Sequence, residues 1–271
     1  MPELPEVETV MRALAARLTG RRFVRVEQRR ADLRFPLPDG LPGRLEGRTL
    51  RHFGRRAKYI QAHLDDGRSL LLHLGMSGRL LLDGESRGPH EHLTFTFDDG
   101  SVLRFVDPRR FGMLDLAATD TVDGHRWLAH LGHEPLGNAF SGPALLAGLE
   151  GRRTPVKVAL MDQRLVVGVG NIYASESLHR AGIAPWRLAL SIGPEAADRL
   201  VAAIRDVLTD AIDAGGSSLR DYVQSNGELG NFQNAFRVYD RAGRPCGGCG
   251  RPIERIVQTG RATYFCGHCQ R

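Results

Sequence analysis

The first twenty residues carry apolar side chains at the spacing of an amphipathic helix. The apolar face comprises Val7, Val10, Met11, Leu14, Ala15 and Leu18. Pro5 suits a first helical turn, because it has no N–H that would go unpaired there, and Gly20 supplies a stop signal. Three carboxylates favour the positive end of the helix dipole, namely Glu3, Glu6 and Glu8. The pattern predicts a helix over 4–18 and leaves Pro2 outside it, unexplained.

After this helix the chain changes to short apolar runs of the β type, several of which alternate apolar and polar side chains. The runs are 22–28, 57–64, 69–75, 92–97 and 102–107. Turn sequences separate them, with PDG at 38–40 and DDG at 65–67 and 98–100. This repeated hairpin pattern predicts a β-sandwich or a barrel, in which one face of each strand is packed and the other meets water.

The character of the sequence changes again near residue 130. Residues 130–142 are rich in turn formers and are the best candidate for a linker. Helical patterns follow at 142–151, 155–163, 172–182 and 194–215. A polar, Gly-rich stretch over 215–233 predicts a long loop, which is typically functional or disordered. The predicted organisation is a first domain over 1–133, a linker over 134–141, a helical domain over 142–237 and a small last unit over 238–271.

Composition and charge narrow the class of protein. The 271 residues, 42% of them hydrophobic, suffice for one large domain or two ordinary ones. No apolar run approaches the roughly 18 residues of a membrane span, and no signal-peptide pattern occurs, so a cytoplasmic protein is expected. The net charge is +6 and the sequence pI about 9.5, with arginine supplying nearly all the positive charge. Excess positive charge favours nucleic acid or acidic surfaces, and guanidinium suits phosphate.

All four cysteines lie near the end of the chain, in the pattern C-x2-C-x16-C-x2-C. They are Cys246, Cys249, Cys266 and Cys269. Two CxxC turns joined by a hairpin can bring four thiolates to one ion, so the spacing predicts one structural Zn²⁺ with no open catalytic position. Two disulfides are the alternative, which a reducing compartment disfavours. The arginines between the pairs suit a nucleic-acid finger, but a solvated hairpin explains them equally well.

A second short motif, GVGN at 168–171, precedes a predicted helix. It lacks the last position of a dinucleotide-binding motif, which Tyr173 occupies, and no Lys-Ser/Thr pair follows as in a P-loop. Two interpretations remain open. The turn amides bind a phosphate at the helix start, or the turn is structural and Asn171 caps the helix.

Six motifs occur along the chain in the order MPELPEVETV, RRAKYI, HLGMSG, DPRRFG, VGVGNIYASE and the four-cysteine segment. Together they resemble the bacterial formamidopyrimidine-DNA glycosylase family over essentially the whole chain. The resemblance implies an α+β multidomain fold with an N-terminal helix and β-sandwich, a helical domain with a helix–two-turns–helix motif, and a zinc-finger hairpin. It implies a monomeric enzyme that binds damaged double-stranded DNA in a cleft, removes oxidised purines such as 8-oxoguanine and formamidopyrimidines, and cuts the strand as an AP lyase by β,δ-elimination.

The resemblance accounts for Pro2. Once Met1 is removed, the ring nitrogen of Pro2 becomes a secondary amine that can attack a sugar C1′ and form a Schiff base. An α-amino group has a pKa of about 8, against about 10.4 for lysine, so a sizeable neutral fraction exists at pH 7. Glu3 is then the expected general acid and base, and Lys58 a catalytic lysine that contacts phosphate; without the resemblance, Lys58 is an ordinary strand-surface residue. Two residues are expected to support the reaction, Glu6 and, near the lesion, Lys157.

The resemblance also implies DNA contacts. Asn171 and Arg261 are expected to grip phosphates around a flipped nucleotide. The residues expected to fill the gap left in the base stack are Met76, Arg109 and Phe111. Filling offsets an unstacking cost of a few kcal/mol. Residues 215–233 match the segment that closes over the flipped base. His133 stands in the linker where the family commonly has proline, a departure that concerns hinge stiffness.

Two other hypotheses compete with an oxidised-purine glycosylase. Sister enzymes of the endonuclease VIII type share the nucleophile and the finger but act on oxidised pyrimidines; ELPEVE and the 215–233 segment favour purines. A non-catalytic zinc-finger DNA-binding protein would keep the charge and the finger. The combination of Pro2, Glu3 and Lys58 argues against that second alternative.

Overall fold

The computed structural model describes residues 2–84, 88–217 and 230–271. The chain forms two compact units, the first comprising Met1–Ala129 with Ala214–Asn231 and the second His130–Asp213 with Phe232–Arg271. The predicted domain limits at 133 and 142 stay a prediction. Within the described ranges, no helix has both the length and the apolar character that crossing a membrane requires.

The first unit begins with helix α1 (Leu4–Leu18), which confirms the predicted helix, and also holds the short α2 (Leu41–Leu45). Its strands are β1 (Phe23–Gln28), β2 (Leu50–Arg56), β3 (Tyr59–Leu64), β4 (Arg68–His73), β5 (Arg79–Leu82), β6 (Glu91–Phe97), β7 (Val102–Val106) and β8 (Met113–Ala118). The sequence pattern missed β2, β5 and β8. Strand β2 is rich in basic residues, β5 is only four residues long, and β8 has no β-branched residue, so none of them shows the expected composition.

In the described part of the first unit, the strands form two four-stranded antiparallel sheets, ordered β1-β6-β7-β5 and β2-β3-β4-β8. Their inward side chains share one core with α1, which includes Leu14 of the helix, Phe95 of the first sheet and Leu72 of the second. The predicted β-sandwich is therefore confirmed. Turns between its strands carry four of the candidate functional residues, namely Lys58, Met76, Arg109 and Phe111.

The second unit contains α3 (Gly142–Leu149), α4 (Val156–Leu160), α5 (Asn171–Ala181) and the long α6 (Pro194–Asp213). The four helices match the predicted ones, although α4 ends earlier than the predicted limit of 163. The hairpin of β9 (Glu254–Gln258) and β10 (Arg261–Phe265) lies between the two cysteine pairs, as the spacing predicts. The backbone of His133 pairs with Val166 in an isolated parallel bridge.

Candidate active site and nucleic-acid interface

Helix α1 begins two residues after the candidate nucleophile, Pro2. Pro2 and Glu3 are both buried, and Glu3 is the N-cap residue. The carboxylate of Glu6 accepts a 2.7 Å hydrogen bond from the Glu3 backbone N–H, as one half of a capping box. This pair satisfies N–H groups that a first helical turn leaves open, and it fixes the backbone of Glu3 beside Pro2. The glutamates therefore do more than compensate the helix dipole.

The buried Glu6 carboxylate has a second partner. Its Oε1 accepts a 2.8 Å hydrogen bond from the backbone N–H of Ser217, which in turn pairs with Asn231 in an antiparallel bridge. Glu6 therefore connects the start of α1 to the base of the predicted loop over 215–233. Residues 218–229 of that loop lie outside the described residues, and so does the prediction that it closes over a base.

Lys58 is buried, with 7% of its surface exposed, and it follows Ala57, whose φ of +52° is uncommon for a residue with a side chain. The Arg55 guanidinium fixes this turn, because it donates to the Ala57 carbonyl at 2.9 Å and to the carboxylate of Glu8 at 2.6 Å. Burial alone would raise the pKa of Glu8, but hydrogen bonds and charges from Arg55 and a neighbouring arginine lower that pKa overall. Since Glu8 lies on α1, the ion pair ties the Lys58 turn to that helix.

Met76, Arg109 and Phe111 lie together, on the turns that follow β4 and β7. Met76 and Phe111 are 37% and 39% exposed, and the guanidinium of Arg109 lies 4.9 Å from the centre of the Phe111 ring, as in a cation–π contact. The three side chains line one pocket of about 540 Å³ together with Arg34 and His73. The structure thus brings together all three residues for which the family resemblance implies a gap-filling role.

His73 borders this pocket and was missed by sequence reasoning. Its Nδ1 accepts a 3.0 Å hydrogen bond from the backbone N–H of Gly75, so the neutral ring carries its proton on Nε2. Burial, followed by the positive charges of Lys58 and Arg34, lowers the pKa of His73 to about 3. The ring is therefore neutral at physiological pH, and its Nε2–H is a donor beside the pocket.

In the second unit a fully buried lysine holds the GVGN turn against the finger hairpin. The Nζ of Lys157 donates to Oδ1 of Asn171 at 2.6 Å, to the hydroxyl of Thr263 at 2.7 Å and to the carbonyl of Ala262 at 3.1 Å. Lys58 and Lys157 are the two lysines of the chain, and both are buried. Three acceptors around one point suit a compact ammonium, whereas the planar fork of arginine does not match them.

Asn171 is held by this cluster and does not cap its helix. The N-cap of α5 is Gly170, and Asn171 is the first helical residue. Its Nδ2 donates to the Ala262 carbonyl at 3.0 Å, which fixes the amide next to the exposed Arg261 at the start of β10. Of the two interpretations of the GVGN motif, the capping one is therefore wrong.

The four cysteines fit one tetrahedral ion. Their Sγ atoms lie within 4.8 Å of one another, with 3.9 Å between Cys246 and Cys269 and 3.4 Å between Cys249 and Cys266, and none forms a disulfide. Zn²⁺ at about 2.3 Å from each sulfur needs tetrahedral sulfur separations of about 3.8 Å. The site is one structural zinc site with four protein ligands, and His268 is not part of it.

A second residue that sequence reasoning missed is Glu176, within the VGVGNIYASE motif. Its buried carboxylate accepts hydrogen bonds from three consecutive backbone N–H groups, those of Arg237, Val238 and Tyr239, at 2.8 to 3.0 Å. An ionisable residue on the apolar face of α5, between Tyr173 and Leu178, is the signal that could have revealed it. Glu176 anchors the segment that leads into the finger.

Comparison with known proteins covers the whole chain. Residues 1–114 match the Formamidopyrimidine-DNA glycosylase N-terminal domain, residues 131–223 match the Formamidopyrimidine-DNA glycosylase H2TH domain, and residues 243–271 match the Zinc finger found in FPG and IleRS. The formamidopyrimidine-DNA glycosylase of Acidiphilium cryptum is 59% identical over 276 residues, with 100% of both chains covered.

Solved structures give the same result. The MutM (Fpg) protein from Thermus thermophilus is 41% identical with a TM-score of 0.89, and the match covers 99% of this chain and 98% of that one. A Lactococcus lactis Fpg mutant in complex with Fapy-dG containing DNA is 34% identical with a TM-score of 0.91, and 100% of both chains are covered. With sandwich, helices and finger all matched in order, the chain belongs to the formamidopyrimidine-DNA glycosylase family.

Proposed function

We propose that this chain removes oxidised purines from duplex DNA and then cuts the strand, as a bifunctional DNA glycosylase and AP lyase. The observation that carries the proposal is the start of α1, where Glu6 fixes the buried Glu3 directly beside Pro2. A family member from Lactococcus lactis was solved with Fapy-dG containing DNA, which supports formamidopyrimidine lesions as substrates. We expect the enzyme to act as a monomer, and to act in the cytoplasm, where its DNA substrate lies.

The Pro2 nitrogen is the nucleophile once Met1 has been removed. Its lone pair forms a bond to C1′ while the bond from C1′ to the base breaks, and the base leaves with the electron pair and takes up a proton. The Pro2 nitrogen then loses its proton, and the C1′–O4′ bond opens to give an iminium. Loss of a C2′ proton towards this electron sink expels the 3′ phosphate, and a second elimination through C4′ expels the 5′ phosphate.

Glu3 acts as general acid and base in these steps. It protonates O4′ as the sugar ring opens and then accepts the proton that leaves a sugar carbon. Lys58 contacts the phosphate beside the reacting sugar and stabilises the charge that develops there. Glu6 is a positioning residue, because it holds the Glu3 backbone rather than the substrate.

DNA binding is divided between the two units. In the first, Met76, Arg109 and Phe111 fill the gap left by the flipped nucleotide, and their exposure and proximity support this role. In the second, Asn171 and Arg261 bind backbone phosphates. Lys157 supports them from beneath, since its buried ammonium holds the Asn171 side chain.

Borohydride trapping tests the proposal. Borohydride reduces an iminium to a stable amine, so the enzyme should become covalently attached to a duplex that contains 8-oxoguanine opposite cytosine. A variant with a short N-terminal extension should bind this DNA but form no adduct, whereas the same extension at the C-terminus should leave trapping intact. Intact mass should show that Met1 is absent from the active protein.

Three outcomes would contradict the proposal in different ways. Equal trapping by the N-terminally extended variant would identify a lysine as the nucleophile. Adducts with oxidised pyrimidines only would indicate the endonuclease VIII type of activity. Binding without any adduct on any lesion would indicate a non-catalytic DNA-binding protein.

A further inference from the structure

One buried carboxylate joins the two turns that carry the gap-filling residues. Oδ1 of Asp107 accepts a 2.6 Å hydrogen bond from the hydroxyl of Ser77, and Oδ2 accepts a 2.7 Å hydrogen bond from the backbone N–H of Gly112. Ser77 directly follows Met76, and Gly112 directly follows Phe111. Asp107 has no exposed surface. It therefore holds each turn at the residue that follows a gap-filling side chain, Met76 in one turn and Phe111 in the other.

Two further contacts make the connection between the turns tight. The Ser77 hydroxyl also accepts a 3.2 Å hydrogen bond from the backbone N–H of Arg109, so one buried oxygen binds both turns. The backbones approach so closely at Gly75 that a Cβ there would lie 2.3 Å from the carbonyl carbon of Phe111. The imidazole Nε2 of His92, on β6, lies 2.8 Å from the backbone carbonyl oxygen of Asp107 and anchors the assembly to the sandwich.

We propose that Asp107 and Ser77 are positioning residues that hold the two turns as a single preformed wedge. The inference rests on the proposed function, in which the side chains of this wedge fill the gap in the duplex. Turns that are already ordered lose less conformational freedom on entering DNA than two independent loops would. A fixed backbone at Arg109 also keeps its guanidinium at a constant distance from the base opposite the lesion.

The wedge matters only where there is a gap to fill. A single-stranded lesion offers neither a gap nor an opposite base, so the contacts of Asp107 and Ser77 cannot contribute to its excision in this way. Two ratios of excision rates therefore report on positioning. One compares the lesion in duplex with the lesion in single-stranded DNA, and the other compares the lesion opposite cytosine with the lesion opposite adenine. A loss of folding stability alone would lower all rates together and leave both ratios unchanged.

Ser77→Ala is the direct test, and the chain offers a matched control in Ser101→Ala. The hydroxyl of Ser101 donates to a carboxylate oxygen of Asp99 at the same distance of 2.6 Å and is also buried, but it lies in the turn between β6 and β7 of the same sandwich. We expect Ser77→Ala to lower both ratios about tenfold, since misplacing a positioned group by about 1 Å can cost up to about 10²-fold in rate. Ser101→Ala should leave both ratios at the wild-type value.

Asp107→Asn gives a graded second variant. An amide can accept from Gly112 with its oxygen and donate to the Ser77 hydroxyl with its nitrogen, so it should reduce the ratios less than Ser77→Ala does. Binding to duplexes that contain a tetrahydrofuran abasic analogue opposite cytosine or adenine repeats the comparison without any excision. If the wild-type enzyme excises no oxidised purine, the proposed function fails, while this binding arm still tests the wedge. Ratios for Ser77→Ala equal to those for Ser101→Ala, in excision and in binding, would overturn the inference.

Discussion

The wedge of the first unit and the proposed phosphate site around Asn171 in the second unit are fixed by buried groups of opposite charge, Asp107 and Lys157. In the wedge, the Asp107 carboxylate accepts hydrogen bonds from a hydroxyl and a backbone N–H, and the side chains that would meet DNA stay exposed. In the second unit, the Lys157 ammonium binds the side chain of Asn171 itself. The carboxylate thus fixes backbone and leaves exposed the side chains for which we propose base contacts. The ammonium instead fixes a side-chain amide, and the phosphate that we propose as its target is the same at every sequence.

The β-sandwich of the first unit and the finger of the second also differ in how their folds are stabilised. The sandwich has a large apolar core drawn from α1 and both sheets. Among the described residues, the buried cluster of the finger consists of Val238, Ile253 and the two cysteines Cys246 and Cys266. So small a core cannot hold a hairpin by hydrophobic burial, so the finger depends on its metal.

The largest effect should come from removing a zinc ligand. Cys249→Ser should release the ion and unfold the finger, because the binding free energy of structural Zn²⁺, about 10–16 kcal/mol in isolated finger peptides, is folding free energy there. Metal analysis should find no zinc, and hydrogen exchange should lose protection over 242–271 while the sandwich keeps it. DNA affinity should fall with the finger.

His268→Ala is the control for that variant, because His268 lies inside the second CxxC turn but is not a ligand. It should keep one zinc per chain. A Cys249→Ser protein that retains one zinc and normal DNA affinity would remove the contrast between the metal-dependent finger and the self-sufficient sandwich.

A smaller effect is expected for the buried ammonium. Lys157→Met should lower the free energy of unfolding by about 3 kcal/mol, because three hydrogen bonds from a charged donor are lost while their acceptors stay buried or half-buried. DNA affinity should fall as well, since the amide of Asn171 loses its fixed orientation. Urea denaturation and binding to undamaged duplex measure the two quantities.

Lys157→Arg separates charge from geometry. It keeps the positive charge but replaces a compact ammonium by a planar fork, so it should also lower DNA affinity if geometry is what counts. If Lys157→Met matches wild type in both stability and binding, Lys157 does not fix the Asn171 amide. It would then have no positioning role comparable to that of Asp107.

The sequence could predict elements that depend on neighbouring residues but not hydrogen bonds between distant ones. Periodicity was sufficient for α1 and for alternating strands such as β6, because each depends on neighbouring residues. The motifs supplied the candidate site residues, but not their partners. Ser217 is 211 positions from Glu6, and Thr263 is 106 positions from Lys157. No local pattern could reveal hydrogen bonds over such distances, and local reasoning about Asn171 therefore left the incorrect capping interpretation open.

One composition signal was available for Lys157. All other strongly basic residues of the chain are arginines, so the two lysines indicate positions that require a compact ammonium and not a planar guanidinium. Asp107 offered a weaker signal, as an acidic residue at the end of an apolar strand. Neither observation names the partner, which only the fold supplies.

The proposed contact between Arg109 and the base opposite the lesion can be tested by substitution. Arg109→Ala should lose the preference for cytosine opposite the lesion, because cytosine offers O2 and N3 as acceptors to the guanidinium and adenine presents a different edge. Phe111→Ala should instead slow excision of every lesion in duplex DNA, and both defects should shrink on single strands. Excision rates for lesion:C, lesion:A and single-stranded lesion give the result. An unchanged C-to-A ratio in Arg109→Ala would mean that the arginine does not read the opposite base.

The smallest effect is expected at Arg261, for which we propose a phosphate as the target. Each phosphate contact releases condensed counterions, so the logarithm of the binding constant falls with the logarithm of salt concentration in proportion to the number of contacts. Arg261→Ala should weaken binding to all sequences alike and reduce that slope by roughly one unit. Arg109 is exposed as well, and the contact that we propose for it is with a base. Arg109→Ala should therefore leave the slope unchanged and is the matched control. A slope that falls in Arg109→Ala but not in Arg261→Ala would reverse the assignment of base reading to the first unit and phosphate binding to the second.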